Sequence, residues 1–351
     1  MTLNLEVVEE VAKSHPMFKC STHPTLPLKL FSYRFADPTV FSNPVARELR
    51  GVVFDDRGNL VARPFHKFFN LGEQLCEVSE DETAVSTLKI DGSLAIAFEY
   101  EGGLVFASKG SFKSFVVEGA YRLADDRVRD LVHEFRDKTV LFEYVDPNHP
   151  VVIPYERPEL RLIGLRDNAT GEYIPATEIV EIAESYELPH TTIVHFDTTV
   201  GEIAKEVRGW QGEEGVVAYA ESDLCKIKSQ WYLRTHSVAS WIVAENMNAV
   251  EKKVKRMYIN NEIDDIYPHL PETHREIVDK IIRKANREIE DLTKTVKAVL
   301  AEVGDLPRKD AAIRMKELGV DKAVMAVVFR AMDGVPVEQA VYESFKKRWG
   351  R

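Results

Sequence analysis

Lys89-Ile90-Asp91-Gly92-Ser93 stands between two β-like segments, Ala84–Leu88 and Leu94–Tyr100. A lysine in such a link can be aimed into a cleft between sheets. Taken alone, Lys-x-Asp-Gly is also a good turn, because Asp and Gly suit special backbone angles. As chemistry, it offers an amine. A reference pKa of about 10.4 leaves little neutral lysine at pH 7. A nucleophilic lysine therefore needs desolvation or nearby cations. Leu224-Cys225-Lys226-Ile227-Lys228 supplies candidates. Residues two apart share a strand face, so Lys226 and Lys228 point the same way. A solvated edge strand would alternate in the same manner. In a cleft, the two lysines would repel each other unless an anion such as phosphate lay between them. They would then lower the pKa of Lys89.

Other segments carry polar groups in unusual company. In Thr139–Val145, Glu143 shares a face with Leu141 and Val145. A carboxylate there is costly unless paired, so Glu143 is either a structural ion pair or a ligand for a ribose hydroxyl or a metal's water. Glu213-Glu214-Gly215 precedes a strand; it reads as an acidic turn or as oxygen ligands for a divalent cation. Lys67 and Phe69 alternate onto one face after Arg63-Pro64. Arg50-Gly51 opens a strand, Lys109-Gly110-Ser111 closes a hairpin, and Tyr33 reads as a core aromatic with its hydroxyl satisfied.

The chain has 351 residues and 44% hydrophobic composition, enough for a large core and a second, smaller domain. No stretch approaches the ~20 apolar residues of a membrane helix, and Met1–Glu6 does not resemble a secretory signal. Cys20, Cys76 and Cys225 are isolated, which indicates neither a disulfide framework nor a cysteine zinc site. A reducing cytoplasm fits. The net charge of −11 argues against indiscriminate coating of nucleic acid. The charge is uneven: residues 1–235 hold 25 Lys+Arg and 38 Asp+Glu, and residues 236–351 hold 21 and 19.

Two textures follow one another. Up to Tyr232 the chain reads as strands and turns, with hairpins at Arg50–Phe54/Leu60–Phe65 and Leu94–Tyr100/Leu104–Ser108. Further strands are expected at Thr139–Val145, Leu160–Arg166, Gly215–Tyr219 and Leu224–Lys228, and helices at Phe115–Phe135 and Thr177–Glu187. From Ser237 the apolar period becomes helical. A capping box, Thr273-x-x-Glu276, precedes a long helix ending near Gly304. Helices are expected at Lys309–Leu318, Lys322–Met332 and Val337–Arg348. The expectation is an α+β protein: antiparallel sheets with flanking helices over residues 1–236, then a smaller all-α domain over 237–351.

The order of these segments makes the resemblance specific. Phe31-Ser32-Tyr33, Arg50-Gly51, Arg63-Pro64, Lys67-Phe68-Phe69-Asn70-Leu71 and Lys89-Ile90-Asp91-Gly92-Ser93 come first. Ser108-Lys109-Gly110-Ser111, Phe142-Glu143-Tyr144-Val145, Thr170-Gly171-Glu172-Tyr173-Ile174, Glu214-Gly215 and Lys226-Ile227-Lys228-Ser229 follow. Together they resemble the covalent nucleotidyltransferases, and within them the phage-type ATP-dependent RNA ligase 1 family. The resemblance covers residues 30–235 well and the helical tail less well.

The resemblance implies roles. Lys89 would attack the α-phosphorus of ATP and carry AMP, with Lys226 and Lys228 stabilising the α-phosphate. Asp91 and Gly92 would contact the nucleoside, with Gly215 and Arg166 near the nucleotide. Glu143 would meet the ribose or a metal's waters, and Glu214 would help hold Mg2+, or Mn2+ in its place, through water. Arg50 and Lys67 would clamp pyrophosphate beside Phe69, with Lys109 and Tyr33 in the same pocket. The implied partners are ATP and single-stranded RNA ends, broken transfer RNA among them, acted on by a monomer away from membranes. The basic run Lys252-Lys253-Val254-Lys255-Arg256 is either an RNA phosphate contact or a solvated helix face. A DNA ligase, a GTP-dependent capping enzyme and a silent nucleotide-binding relative share the core. The first two usually append a β-barrel where this chain reads as helical.

Overall fold

The computed structural model describes residues 3–33, 38–235, 247–260, 263, 267, 270 and 272–349. The expected junction between residues 236 and 237 lies outside them. Contacts divide the chain into two units, Met1–Leu233 and Arg234–Arg351.

The first unit is built on three sheets. Strands β1 (Phe18–Thr22), β2 (Leu28–Tyr33), β3 (Val52–Asp55) and β4 (Leu60–Ala62) form one antiparallel meander. A second sheet has the order β10-β9-β7-β8, from β7 (Ser93–Tyr100), β8 (Gly103–Ser108), β9 (Lys138–Val145) and β10 (Glu159–Asp167). The third has the order β11-β6-β12-β13-β5. It comprises β5 (Phe69–Asn70), β6 (Thr83–Leu88), β11 (Ile193–Thr199), β12 (Gly215–Ala220) and β13 (Leu224–Lys228). Pairing is antiparallel except between β13 and β5. The β7–β8 turn shows its chemistry: Glu101 and Gly102 both have positive φ, 52° and 78°, which matches the strand twist.

Buried side chains from several strands fill the space between the sheets, among them Leu30, Val53, Ile96, Phe98 and Leu141. Helices α1 (Leu5–Ser14) and α2 (Pro44–Glu48) cover the first sheet; α3 (Phe115–Leu123), α4 (Asp126–Glu134) and α5 (Ala176–Ser185) cover the second. Helix α6 (Val200–Val207) packs Ile203 and Val207 on the third. The single helix expected over Phe115–Phe135 is broken in two. The Asp125 side chain accepts from the Val128 amide, capping a new start instead of continuing the old helix.

The described residues of the second unit form helices α7 (Met247–Ile259), α8 (Glu272–Val303), α9 (Arg308–Glu317), α10 (Lys322–Met332) and α11 (Val337–Trp349). The expected capping box would start α8 at Thr273, whose side chain is not described; the helix begins at Glu272. The basic run lies on α7. Lys252 and Arg256 are exposed, but Lys255 is buried, bonded to Glu251 and Glu288 and seated over Trp349. That lysine is structural. Among the described residues no helix is long and apolar enough to cross a membrane.

The decisive link is now visible. β6 belongs to the third sheet and β7 to the second, so Lys89–Gly92 crosses from one to the other. The Lys89 amide still donates to the Gly215 carbonyl at 2.9 Å, extending the ladder to the nucleophile's own backbone. Gly92 then passes so close to β9 that a Cβ would lie 2.4 Å from the Tyr144 carbonyl oxygen.

Candidate active site

A cavity of about 450 Å3 opens at this crossing, lined by Lys89, Ile90, Gly92, Arg50, Lys109, Glu143 and Lys226 among others. At its base Lys89 Nζ donates to Glu214 Oε2 at 2.8 Å. The other oxygen of Glu214 pairs with Lys228 Nζ at 2.8 Å. Glu214 is 2% exposed, so one buried carboxylate bridges two lysines. The strand register explains this: Gly215 lies opposite Lys228 on β12 and β13, which puts Glu214 at the strand entrance.

Lys226 shares the face of Lys228 but has a different partner, donating to the Phe68 carbonyl at 3.0 Å and resting over the Phe68 ring. Burial, then the cations Lys67, Arg50, Lys89 and Lys228, hold its pKa down at about 6. Burial followed by Arg50 and Lys67 brings Lys109 to about 8. Lys67 is lowered too, mainly by burial. All three of these amines sit on aromatic faces: Lys67 is 4.5 Å from the centre of Phe69, Lys109 is 4.1 Å from that of Tyr33, and Lys226 is 4.6 Å from that of Phe68. Such crowding without counter-charge suits a polyanion.

The anticipated fall in the pKa of Lys89 is not found. Burial does push it down, but the carboxylates of Glu214, Glu143 and Asp91 outweigh burial and raise it above an ordinary lysine's. Glu214 stands between Lys89 and one of the two expected cations, Lys228.

Two more expectations are corrected. Asp91 does not face the cavity. Its Oδ2 accepts from the amides of Val152 and Ile153 at 2.8 and 2.7 Å, and its Oδ1 from the Tyr232 hydroxyl at 2.6 Å. Through these bonds it holds the loop. Arg166 is buried with its donors engaged: two bonds to Glu48, one to the Pro64 carbonyl and one to the Gly171 carbonyl. It locks β10 to α2. Gly215 also serves the backbone, since at φ +143° a Cβ would lie 2.0 Å from the Ile227 carbonyl oxygen. Tyr33, Lys67 and Phe69 border a neighbouring cavity with Phe41 and Glu73.

Glu143 accepts from the Gly92 amide at 3.2 Å, and burial, eased by Lys89, raises it to about 7. Among the described residues no group of three or more His, Cys, Asp or Glu converges as a metal cage. Glu143 on the cavity wall nevertheless fits a hydrated Mg2+, which takes one or two carboxylates plus phosphate oxygens and water, with Glu214 behind Lys89 able to reach it only through water. The high pKa of Glu143 marks a carboxylate short of positive charge. The apolar walls, Phe65, Phe68, Leu94, Ile163, Val217 and Tyr219, were not among the expected site residues. The alternation of Val217 and Tyr219 on β12 was the available signal.

A lysine between two sheets, facing phosphate-seeking cations and a pair of carboxylates, defines a covalent nucleotidyltransferase. The comparisons narrow the class. The family model described as RNA ligase, of the T4 RNA ligase 1 type, matches residues 48–234. RNA ligase 1 of bacteriophage TS2126 is 30% identical over 345 residues, covering 92% of this chain and 84% of the phage protein. A Thermovibrio ammonificans protein named "Putative RNA ligase" is 33% identical over 255 residues. That match covers 67% of this chain and 64% of that protein, so the chain spans just under two thirds of it. An archaeal ATP-dependent RNA ligase has the same fold, with a TM-score of 0.51 and 17% identity over 82% of this chain and 79% of that one. The chain belongs to the RNA ligase 1 family.

Proposed function

We propose that the chain is an ATP-dependent RNA ligase, a phosphoric-ester-forming enzyme that joins RNA 5′-phosphate and 3′-hydroxyl ends through AMP carried on Lys89. The observation that carries this reading is the Lys89–Glu214–Lys228 arrangement at the base of a cationic cavity.

Lys89 enters as an ammonium. Glu214 Oε2, at 2.8 Å, is within reach to take its proton. Nearby cations then disfavour reprotonation. The amine attacks the α-phosphorus of ATP; an N–P bond forms, the bridging P–O bond breaks with its electron pair on the departing pyrophosphate, and the amine's second proton leaves with that pyrophosphate. Lys226 and Lys228 meet the charge that grows on the α-phosphate, and Arg50, Lys67 and Lys109 receive the pyrophosphate. Glu143 and Glu214 would hold Mg2+, which screens the triphosphate and lowers the charge barrier. An RNA 5′-phosphate oxygen next attacks the carried AMP and releases the amine. A 3′-hydroxyl then attacks the activated 5′-phosphorus and AMP leaves.

Single-stranded RNA ends, including those of broken transfer RNA, are the proposed substrates. The protein would act as a monomer in the cytoplasm, the host's if a phage encodes it. The three free thiols accord with that compartment. The test is joining: 5′-phosphorylated single-stranded RNA with ATP and Mg2+ should be circularised, and Lys89→Ala should abolish it. Sealing of nicked duplex DNA alone would overturn the RNA assignment, and transfer of GMP rather than AMP would point to capping.

A further inference from the structure

Behind the cation cluster lies a hydrogen-bonded chain that the proposed mechanism does not use. His66 precedes β5, and Asp223 immediately precedes β13. His66 Nε2 lies 2.9 Å from Asp223 Oδ1, with the two side chains 14% and 12% exposed. On its other side, His66 Nδ1 lies 2.8 Å from the Tyr173 hydroxyl. The His66 main-chain amide donates to that same hydroxyl at 3.1 Å. Every role is satisfied by one neutral tautomer: Nε2–H donates to Asp223, and Nδ1 accepts the Tyr173 proton. Tyr173 is itself fixed, stacked on Phe65 and lying under Arg166.

The residues after His66 carry this order to the site. The Lys67 amide donates to the Arg47 carbonyl at 2.7 Å. The Phe68 carbonyl accepts from Lys226 Nζ at 3.0 Å, and β5 pairs with β13 at Cys225–Phe69 and Lys226–Asn70. Asp223 immediately precedes the strand that bears Lys226, and His66 lies two residues before Phe68, whose carbonyl is the acceptor.

We propose that the Asp223–His66–Tyr173 chain is a positioning device for Lys226, and that His66 sets the distance between the Phe68 carbonyl and the lysine that meets the α-phosphate. This rests on the reading of Lys226 as a phosphate ligand in lysine adenylylation. His66 does not line the cavity itself; its ring meets the edge of the wall residue Phe68, with centroids 6.0 Å apart, and it acts through Phe68 and Lys226 rather than on reacting atoms. A displacement of that ammonium of around 1 Å weakens transition-state contacts more than ground-state binding.

The experiment is single-turnover adenylylation of the full chain with ATP and Mg2+, with rates expressed per competent active site. His66→Ala and Asp223→Ala should each lower the maximal rate constant by about tenfold with KM for ATP within about twofold. Asp223→Asn keeps an acceptor for His66 and should stay within about twofold of the parent in both. A purely structural role would lower the thermal midpoint and the competent fraction but leave the rate per site untouched; that result overturns the proposal. Loss of rate in Asp223→Asn equal to that in Asp223→Ala also overturns it. Failure of the parent chain itself to form an adduct would sink the ligase reading instead, so the two failures are distinguishable.

Discussion

Glu214 holds Lys89 through a 2.8 Å ion pair while its second oxygen holds Lys228 at the same distance. The carboxylate thus keeps the nucleophile charged and separates it from the neighbouring cation. Glu214→Gln removes the negative charge, so the pKa of Lys89 should fall. Labelling of Lys89 by a small amine reagent at pH 8, followed by peptide mass spectrometry, should then speed up severalfold. Two facing lysines would remain, partly hydrated at 22% and 20% exposure. The expected loss of stability is about 2 kcal/mol, below the roughly 3–5 of a fully buried broken pair.

ATP binding should take up protons at pH 8. A lysine with a lowered pKa is charged below that value and neutral above it. Lys226, at about 6, is mostly neutral at this pH, and Lys109, at about 8, is half protonated. Phosphate favours the ammonium form of both, so binding should absorb between about one and two protons. Titration calorimetry of Lys89→Ala in two buffers of different ionisation heat reads this number. Lys226→Met should reduce it by about one. Binding without proton uptake would contradict the assignment of these lysines to the phosphates.

Asp91 should behave as a structural anchor. Its carboxylate accepts two amides and a tyrosine hydroxyl, and its side chain is buried. Asp91→Ala strands those donors and should cost about 3 kcal/mol in a denaturant titration. Asp91→Asn, which still accepts, should cost about half as much.

Arg166 gives the complementary case. Its guanidinium is committed to Glu48 and two carbonyls. Arg166→Ala leaves a buried carboxylate with one fewer cation and should destabilise by about 3 kcal/mol. ATP affinity of the folded fraction should stay within about twofold. A large loss of affinity at unchanged stability would restore Arg166 to the nucleotide site.

The contrast between these residues shows what the sequence could reveal. Strand β13 was legible to its ends because Cys225–Lys228 alternate, with Lys226 and Lys228 standing out against Cys225 and Ile227. The β7–β8 hairpin was legible from its glycines. Strand β11 was missed: Ile193–Thr199 mixes polar and apolar residues, its register is bulged, and Phe196 is exposed, so no period of two survives. The engagement of Arg166 inside the fold was not legible, because Glu48, its partner, lies far away in sequence. The direction of the Lys89 shift was misjudged for a similar reason. Lysines on one strand face are visible in a sequence, whereas a carboxylate at the head of β12 that joins Lys89 to Lys228 is known only once the sheets are paired.

The central claim is that Lys89 is the nucleophile, and the most direct measurement is the site of covalent AMP. The folded protein is incubated with Mg2+ and labelled ATP, and the adduct is located by intact and peptide mass spectrometry. The account predicts a single acid-labile AMP on Lys89, released by pyrophosphate and absent in Lys89→Ala. No adduct in a folded preparation, or an adduct that persists in Lys89→Ala, would contradict it.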